Sequence, residues 1–340
     1  MRAGRARASL SCTLSCMTRP ARPLPDHLRD ETMSTAEALA RGVAADRLRR
    51  ADVVHPFHGV VMTGGRPRSI ADRAWAFAQV MPASGWFSHT TSARLLGLPL
   101  PRSHEKGPLH VTVNRGTRAP RGAGVVGHQR ELPSPSWSTL LVPTSTRELV
   151  PLRVATPGAA ALTTASLLSL PDLVALLDAL RLVDDSTALR DIDRMLDHSA
   201  RRAGAAALRR ALALSEPGVR SRAETHLRLT LAAAGLPRAH VAPAVATPLG
   251  ELHPDLAWPE FRVLVEYEGD HHRTDARQFA SDLARFDAFA DAGWHPVRAT
   301  KDDVYSSSRR VVSTVARRLR GAGWPSRRPV RHLPTPIATP

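Results

Sequence analysis

The segment VLVEYEGDHH, residues 263–272, alternates apolar side chains with the carboxylates of Glu266, Glu268 and Asp270. A period of two is typical of a β-strand, on which residues i, i+2 and i+4 lie on the same face. Like charges on one face repel each other unless a cation, a proton or solvent intervenes. The segment therefore predicts a strand whose acidic face has a partner of one of these kinds.

The preceding residues predict that this strand belongs to a hairpin. The segment HPDLAW, residues 253–258, is strand-like, and a proline and a glutamate follow it as a turn. With that turn centred between residues 260 and 261, Asp255 lies directly opposite Glu266, because the two numbers have the same sum as the central pair. Two carboxylates then meet across the hairpin, and Glu268 shares their face.

A fourth acidic residue, Glu224, joins this group if the helix that carries it packs on the same strands. Hard divalent cations prefer oxygen ligands, and converging carboxylates suit Mg²⁺ or Mn²⁺. The sequence therefore predicts a site for Mg²⁺ (or Mn²⁺) where these carboxylates converge. The alternative is structural: the carboxylates form an exposed strand face or pair with nearby arginines. The candidate arginines are Arg273, Arg277 and Arg285.

Around the hairpin, residues 219–324 predict a C-terminal α/β sandwich. Ser221 and Glu224 form a capping box that begins a helix, and three antiparallel strands follow. A helix, a strand and a last helix complete the predicted domain, which gives an α/β (α+β) chain. Pro217 and Gly218 predict the boundary with the upstream residues.

The order of these acidic residues resembles a known nuclease pattern. Glu224 on a helix, then Asp255 after a proline, then Glu266 and Glu268 is similar to the PD-(D/E)XK arrangement of restriction-endonuclease-like nucleases. The strings EYEGDHH, DLARF and GWHPVRAT resemble the family called domain of unknown function 559, related to the very-short-patch-repair mismatch endonucleases. The resemblance covers roughly residues 219–320.

This resemblance implies metal-assisted cleavage of a DNA phosphodiester. Asp255 and Glu266 are then metal ligands, and Glu224 is a second or more distant ligand. His272, next to His271, is the implied general base or leaving-group acid, because the pKa of histidine is near neutral.

One position departs from the nuclease pattern. Where PD-(D/E)XK nucleases carry lysine, this chain has Glu268, so that no ammonium group is supplied from that position. The mismatch-repair relatives use histidine instead, which gives His272 more importance. The departure leaves open a domain that does not cut DNA. The predicted catalytic residues are Asp255, Glu266, Glu268 and His272.

The N-terminal residues 34–68 predict a winged helix-turn-helix. A first helix is followed by a second over residues 44–53, and two short strands lie around residues 55–59. In this motif the second helix can enter the major groove of DNA. A charged, solvent-facing helix of a small helical domain is the alternative. The predicted DNA contacts are Arg47, Arg49 and Arg50.

Residues 69–216 are predicted to form a helical middle region. Residues 86–101 predict a helix, and an Ala- and Leu-rich helical pair over residues 154–182 is broken at Pro171. Two other segments of the region alternate like strands. His89 is expected to be structural, and no chemistry is assigned to this region.

The residues from 35 to 182 resemble the winged-helix N-terminal region of Abi-type (type IV) antitoxins. The resemblance implies an antitoxin-like middle region over residues 69–216. It also implies DNA as a partner, with a toxin or another protein as a possible second one.

Composition restricts the classes of partner. A formal net charge of +16 and a pI near 11.4 make polyanions, above all DNA, the expected partners. No apolar run approaches the ~20 residues of a membrane span, and Cys12 and Cys16 give no disulfide or zinc pattern. We therefore expect a cytoplasmic protein without membrane contact. Residues 1–33 and 325–340, which are rich in arginine and proline, are predicted to be disordered.

Together these patterns predict a metal-dependent DNA endonuclease with an N-terminal DNA-binding region. The alternative is a non-enzymatic, antitoxin-like transcriptional repressor whose nuclease site is degenerate. A scaffold that binds a toxin partner is a third reading of the same sequence.

Overall fold

The computed structural model describes residues 23–25, 28–198, 204–269, 276–326 and 329–331. At positions 184, 185, 276–280 and 282 the backbone alone is described. The chain divides into two compact units, Met1–Arg66 and Pro67–Pro340. The predicted catalytic His272, its neighbour His271 and most of the two predicted disordered segments lie outside the described residues.

The first unit contains two strands and two short helices. They are β1 (Thr32–Ser34), α1 (Thr35–Ala40), α2 (Ala45–Leu48) and β2 (Val60–Met62), and β1 pairs antiparallel with β2. The side chain of Ser34 caps α1 by accepting from the backbone N–H of Glu37. Leu28 is buried and Met33 lies in β1. The prediction of disorder over residues 1–33 is therefore wrong at its C-terminal end.

The winged helix-turn-helix pattern differs from the observed elements. The second helix ends at Leu48 and does not continue to residue 53. Strand β2 pairs with β1, and Val54 makes a single bridge to Met62 instead of a hairpin around residues 55–59. The unit therefore has the predicted order of helices. Its sheet, however, is formed by β2 and by β1, the strand that precedes the first helix.

The first part of the second unit combines a sheet with helices. Its elements are α3 (Ile70–Ala78), β3 (Gly85–Phe87), α4 (His89–Leu95), α5 (Arg102–Glu105), β4 (Leu109–Val113), β5 (Arg121–Gly122), β6 (Val125–Gln129), β7 (Trp137–Pro143), β8 (Leu149–Ala155), α6 (Pro157–Thr164), α7 (Leu170–His198) and α8 (Ala205–Leu212). The strands form one sheet of order β5-β6-β4-β3-β8-β7, in which β4 is parallel to β6 and β3 is parallel to β8. The middle region is therefore mixed α/β and not helical.

The helical pair of this region begins later than predicted. Val154 and Ala155 belong to β8, where they add to the sheet. The pair divides close to the predicted position, because α6 ends at Thr164 and Pro171 is the second residue of α7. A proline at that position lacks only an N–H that has no intrahelical partner. Helices α6, α7 and α8 share a core with Trp86 of β3 and Ile192 of α7.

The last part of the unit contains a second sheet. Its elements are α9 (Arg222–Ala233), β9 (His240–Val241), β10 (Val245–Thr247), β11 (Gly250–Leu252), β12 (Leu256–Trp258), β13 (Val263–Glu268), α10 (Ala276–Asp291), β14 (His295–Thr300), α11 (Lys301–Tyr305) and α12 (Arg309–Gly321). The sheet order is β14-β13-β12-β9; β9, β12 and β13 are antiparallel, and β14 is parallel to β13. The predicted first strand is divided, since β10 forms a separate hairpin with β11.

Helices cover both faces of this sheet. Val263 and Val265 share a core with Leu227 of α9 and Val312 of α12, while Leu264 packs with Phe289 of α10. This explains why β13 begins as a continuous apolar run and turns acidic only near its end. The predicted α/β class is confirmed.

The register of the predicted hairpin is also confirmed. Leu256 is paired with Val265 and Trp258 with Val263, across a short 3₁₀ turn, Pro259–Phe261. In each pair the two residue numbers add up to the same total as residues 260 and 261, which is the register that the sequence predicts. Continued by one step, the register places Asp255 opposite Glu266.

Buried ion pairs connect the two parts across the predicted boundary at residues 217–218. Arg222 of α9 donates to Asp172 of α7 from Nε at 2.9 Å and from Nη2 at 2.6 Å. Nearly two helical turns further along both helices, Arg228 donates to Asp178 at 3.0 Å. Both carboxylates are almost fully buried. Residues on the two sides of the boundary therefore belong to one compact unit.

The C-terminal tail is ordered where it is described. The side chain of Val330 packs on the second core, and the backbone N–H of Arg331 donates to the carbonyl oxygen of Ala234 at 3.0 Å. The prediction of disorder over residues 325–340 is wrong for this short segment. Among the residues described, no helix combines the length and the apolar content that crossing a membrane requires.

Candidate functional site

Four carboxylates from three elements line one cavity in the second unit. The cavity has a volume of about 490 Å³. Glu224 reaches it from the first turn of α9, Asp255 from the residue before β12, and Glu266 and Glu268 from the end of β13. The structure thus brings together all the predicted acidic residues. The predicted base, His272, lies outside the described residues.

Capping fixes the position of Glu224. The side chain of Ser221 accepts from the backbone N–H of Glu224 at 3.2 Å. The carboxylate of Glu224 accepts in turn from the backbone N–H of Arg220 at 2.9 Å. The predicted capping box is therefore present in shifted form, and it holds the carboxylate at the rim of the cavity.

Asp255 carries the strongest electrostatic signal of the site. Burial raises the pKa of its carboxyl group, and the charges of Glu266 and Glu224 raise it further, to about 8. The backbone N–H of Tyr267, which donates to Asp255 at 2.6 Å, and the charge of Arg285 act in the opposite direction. Without a cation, Asp255 is therefore largely protonated at neutral pH.

Arginines also line the cavity. Arg285 of α10 lies 3.1 Å from Glu266 and also donates to the carbonyl oxygen of His253. Arg298 is the register partner of Glu266 on the parallel strand β14 and stacks on the ring of Phe286, 4.4 Å from its centroid. Arg220, Arg285 and Arg298 therefore place positive charge around the carboxylates. Such an arrangement suits the binding of a phosphate group.

The four carboxylates described above do not form a compact group of metal ligands. Glu266 is held by Arg285, Glu224 by a backbone N–H, and Asp255 by another. Among the described residues, the group of three potential ligands whose ligating atoms all lie within 4.8 Å of one another consists of histidines and not of these acids. Mutual repulsion and separate protein partners explain the spread of the carboxylates.

The histidine group, His89, His110 and His128, lies where α4 meets the six-stranded sheet β5-β6-β4-β3-β8-β7, hereafter called the first sheet. His89 is the first residue of α4, His110 lies on β4 and His128 on the parallel neighbour β6. Nδ1 of His110 is 3.0 Å from Nε2 of His128, and the ring of His89 stacks on that of His128 with centroids 3.8 Å apart. The sequence predicts a structural role for His89 and no chemistry in this region; the three histidines are far apart in the chain, and only the fold brings them together.

All three imidazoles are poor bases in this environment. Burial, followed by the positive charges that neighbouring histidines and Arg130 would contribute, lowers the pKa of His89 to about 2. Burial, then His110 and Arg130, lowers the pKa of His128 to about 4. Burial, then His104, lowers that of His110. The rings are therefore neutral at physiological pH.

The predicted DNA contacts of the first unit separate into two kinds. Arg47 donates to Asp52 at 2.9 and 2.5 Å, and its side chain is only 11 % exposed. Arg49 and Arg50 follow α2 and are exposed. Arg47 therefore ties α2 to the loop that follows it, while Arg49 and Arg50 face solvent.

Comparison with known proteins gives relatives but no named activity. No family model matches the chain. The uncharacterized proteins MT2308 and Rv2248 of Mycobacterium tuberculosis are each 29 % identical over 169 residues, which span 49 % of this chain and 62 % of each relative. The crystal structure of the RV2827C protein from the same organism aligns with a TM-score of 0.37 at 17 % identity, over 64 % of this chain and 84 % of that one.

Proposed function

We propose that the chain is a metal-dependent DNA endonuclease that hydrolyses phosphodiester bonds. The observation that carries the proposal is the placement of Asp255 between Glu266 and Glu224 in a cavity that arginines also line. In this proposal the second sheet with its helices is a restriction-endonuclease-like sandwich, and the first unit is a winged-helix DNA-binding region. The substrate places such a protein in the cytoplasm.

The donor set fits a hard divalent cation. Asp255 and Glu266 would hold Mg²⁺ or Mn²⁺, and Glu224 would be a further ligand, since all three offer carboxylate oxygens. When bound, the cation would polarise the phosphoryl oxygen and lower the pKa of an attacking water. The raised pKa of Asp255 results from burial and from the neighbouring carboxylates Glu266 and Glu224, and perturbed pKa values of this kind are common at functional sites.

The other groups of the cavity have roles that follow from their charge. Arg298 and Arg220 can hold the phosphate through charge-assisted hydrogen bonds. Glu268, at the end of β13, can accept a proton from a water in the cavity. His272 is the proposed general base or leaving-group acid. PD-(D/E)XK nucleases have a lysine ammonium at the position of Glu268. Arg285 replaces it in part, because its guanidinium brings a fixed positive charge close to Glu266 and Asp255.

Plasmid nicking tests the proposal. The purified protein should nick supercoiled plasmid with Mg²⁺ or Mn²⁺ and not with EDTA. Asp255→Asn should reduce the rate at least about 100-fold, because a catalytic cation contributes several kcal/mol of transition-state stabilisation. Glu260→Gln, in the exposed turn of the same hairpin, is the matched control and should nick like the wild type. Nicking that survives Asp255→Asn unchanged contradicts the proposal.

A non-enzymatic, antitoxin-like repressor is the second candidate. The ion pair between Arg285 and Glu266 favours it, because a guanidinium already neutralises one of the proposed metal ligands. This candidate predicts footprinting of a DNA site without cutting, and no uptake of Mn²⁺. A toxin or other protein partner belongs to this reading, and co-purification of the full chain with such a partner would support it.

A further inference from the structure

Three imidazoles from three separate elements meet in the first sheet, outside the carboxylate cavity. The ligating atoms of His89, His110 and His128 all lie within 4.8 Å of one another. His89 is 1 % exposed, and the other two are half-buried. The cluster is therefore reachable from solvent at His110 and His128, while His89 is enclosed.

The spacing of two of these rings is already close to that of metal ligands. A tetrahedral zinc ion with Zn–N bonds of 2.0–2.1 Å separates its ligand nitrogens by roughly 3.3 Å. Nδ1 of His110 and Nε2 of His128 are 3.0 Å apart. Two neutral ring nitrogens at this distance share one proton. For a cation to take its place, the ring that carries this proton must move it to its other nitrogen, so that both imidazoles stay neutral, and both rings must turn their lone pairs toward the cation.

The third ring needs a larger adjustment. The rings of His89 and His128 are stacked at an interplanar angle of 18°, whereas the lone pair of an imidazole nitrogen lies in the plane of its ring. His89 must therefore tilt out of the stack to point a nitrogen at the same centre. The backbone of His89 has a φ of 51°, in the left-handed region that non-glycine residues rarely adopt. Such strained residues cluster at binding and active sites.

Hydrogen bonds from neighbouring residues orient these histidines. Nδ1 of His89 is 2.8 Å from the hydroxyl of Ser88, which leaves Nε2 as the nitrogen available for a ligand bond. Thr112, the register partner of His128, donates to the same hydroxyl at 2.7 Å. The backbone N–H of His110 donates to Thr91 at 2.8 Å. The contact of Ser88 with Nδ1 of His89 is the kind of partner that metal-binding histidines commonly have at the second ring nitrogen, whereas the bond to Thr91 fixes only the backbone of His110.

We propose that His89, His110 and His128 bind one Zn²⁺ ion or a related borderline divalent cation, with a fourth position left for water or an exogenous ligand. Neutral imidazole is the form that ligates such metals. The bound ion would join the start of α4 to β4 and β6 and so stabilise the first sheet. This site does not depend on the proposed nuclease function, because it shares no residue with the carboxylate cavity.

Metal titration of tag-free protein tests this site. The protein is treated with a chelator and titrated with Zn²⁺ by calorimetry, and with Co²⁺ followed by visible absorption. Both titrations use the Asp255→Asn, Glu266→Gln background, so that the carboxylate cavity does not add to the signal. We expect one Zn²⁺ per chain, tetrahedral Co²⁺ bands, and a melting temperature that rises with Zn²⁺.

Substitutions identify the ligands. His128→Ala should weaken Zn²⁺ binding by at least about 100-fold, and Ser88→Ala by about 10-fold through loss of ring orientation. His240→Ala and His295→Ala, at exposed histidines of the second sheet, are matched controls and should bind like the parent.

Circular dichroism of His128→Ala and of the bulkier His128→Gln distinguishes loss of the site from loss of the fold. A folded parent that takes up no Zn²⁺, or uptake that both His128 variants retain, overturns the proposal.

Discussion

The guanidinium of Arg285 lies 3.1 Å from the carboxylate of Glu266, and it also donates to the carbonyl oxygen of His253. An arginine on α10 thus lies among the carboxylates of the cavity. Its charge lowers the pKa of Asp255 and opposes a second cation. Substitution of Arg285 is therefore expected to change cation binding and the rate of DNA cleavage in opposite directions.

We expect Arg285→Gln to bind Mn²⁺ several-fold more tightly than the wild type and to nick plasmid more slowly. Affinity should rise because a fixed positive charge near the ligands is lost. Nicking should fall because the same charge is no longer available to the phosphate. Calorimetry and nicking assays on one preparation measure both effects. Weaker Mn²⁺ binding in Arg285→Gln would show that the arginine supports the ligands and does not compete with the cation.

Binding of Mn²⁺ at pH 7 should release about one proton per chain, because a protonated Asp255 must ionise to become a ligand. Calorimetry in buffers of different ionisation enthalpy measures this number. The release should decrease toward zero as the pH rises above 8, where Asp255 is already ionised. It should vanish at every pH in Asp255→Asn, while Glu260→Gln should behave as the wild type does.

The stability of the metal-free protein should fall with pH because of the same group. The pKa of Asp255 is raised from 3.8 to about 8 on folding, so between these values the folded state holds a proton that the unfolded state has lost. Stability therefore decreases as the pH rises through this window. In urea unfolding with EDTA, Asp255→Asn should gain stability relative to the wild type from pH 5 to pH 8. A constant difference between the two proteins would contradict the raised pKa.

The buried pair between α7 and α9 should be sensitive to loss of one partner. Arg222→Ala leaves the carboxylate of Asp172 buried without its main cation, which costs about 3–5 kcal/mol in comparable pairs. Urea unfolding of the second unit measures the loss. The matched control is Arg238→Ala, which breaks a pair whose arginine is 82 % exposed and should cost at most about 1 kcal/mol.

The exposed arginines after α2 should contribute to DNA affinity without sequence preference. The double variant Arg49→Ala, Arg50→Ala should reduce the slope of log K against log salt by about 1.8, since each phosphate contact contributes about 0.9. Fluorescence anisotropy over a salt series measures the slope. Arg47→Ala should leave the slope unchanged, because its guanidinium binds Asp52. An equal effect of all three would contradict the division of roles.

The acidic hairpin can be predicted from the sequence because its two strands are neighbours in the chain. Alternation fixed the face of each carboxylate, and a short turn fixed the register of Asp255 against Glu266. Glu224 could be added because a capping box places it in the first turn of a helix. The pairing with Arg285 was only one of three alternatives, since the chain offers several arginines after the strand.

Other features depend on contacts that are distant in sequence. The histidine group forms only because β4 and β6 are parallel neighbours, and His89 reaches it from another element. Strand β3 has three residues and merges in the sequence with the helix that follows. The length of α2 was overestimated because its arginines suit a helix, whereas the bond from Arg47 to Asp52 turns the chain instead.

The ion pairs between α7 and α9 also limit where the chain can be cut or recombined without loss of buried partners. A polypeptide begun at residue 219 would keep the acidic hairpin but lose Asp172 and Asp178, and Arg222 and Arg228 would be left without their buried anions. Recombination that exchanged the C-terminal segment alone would meet the same mismatch. The two carboxylates of α7 and the two arginines of α9 are therefore expected to be inherited together.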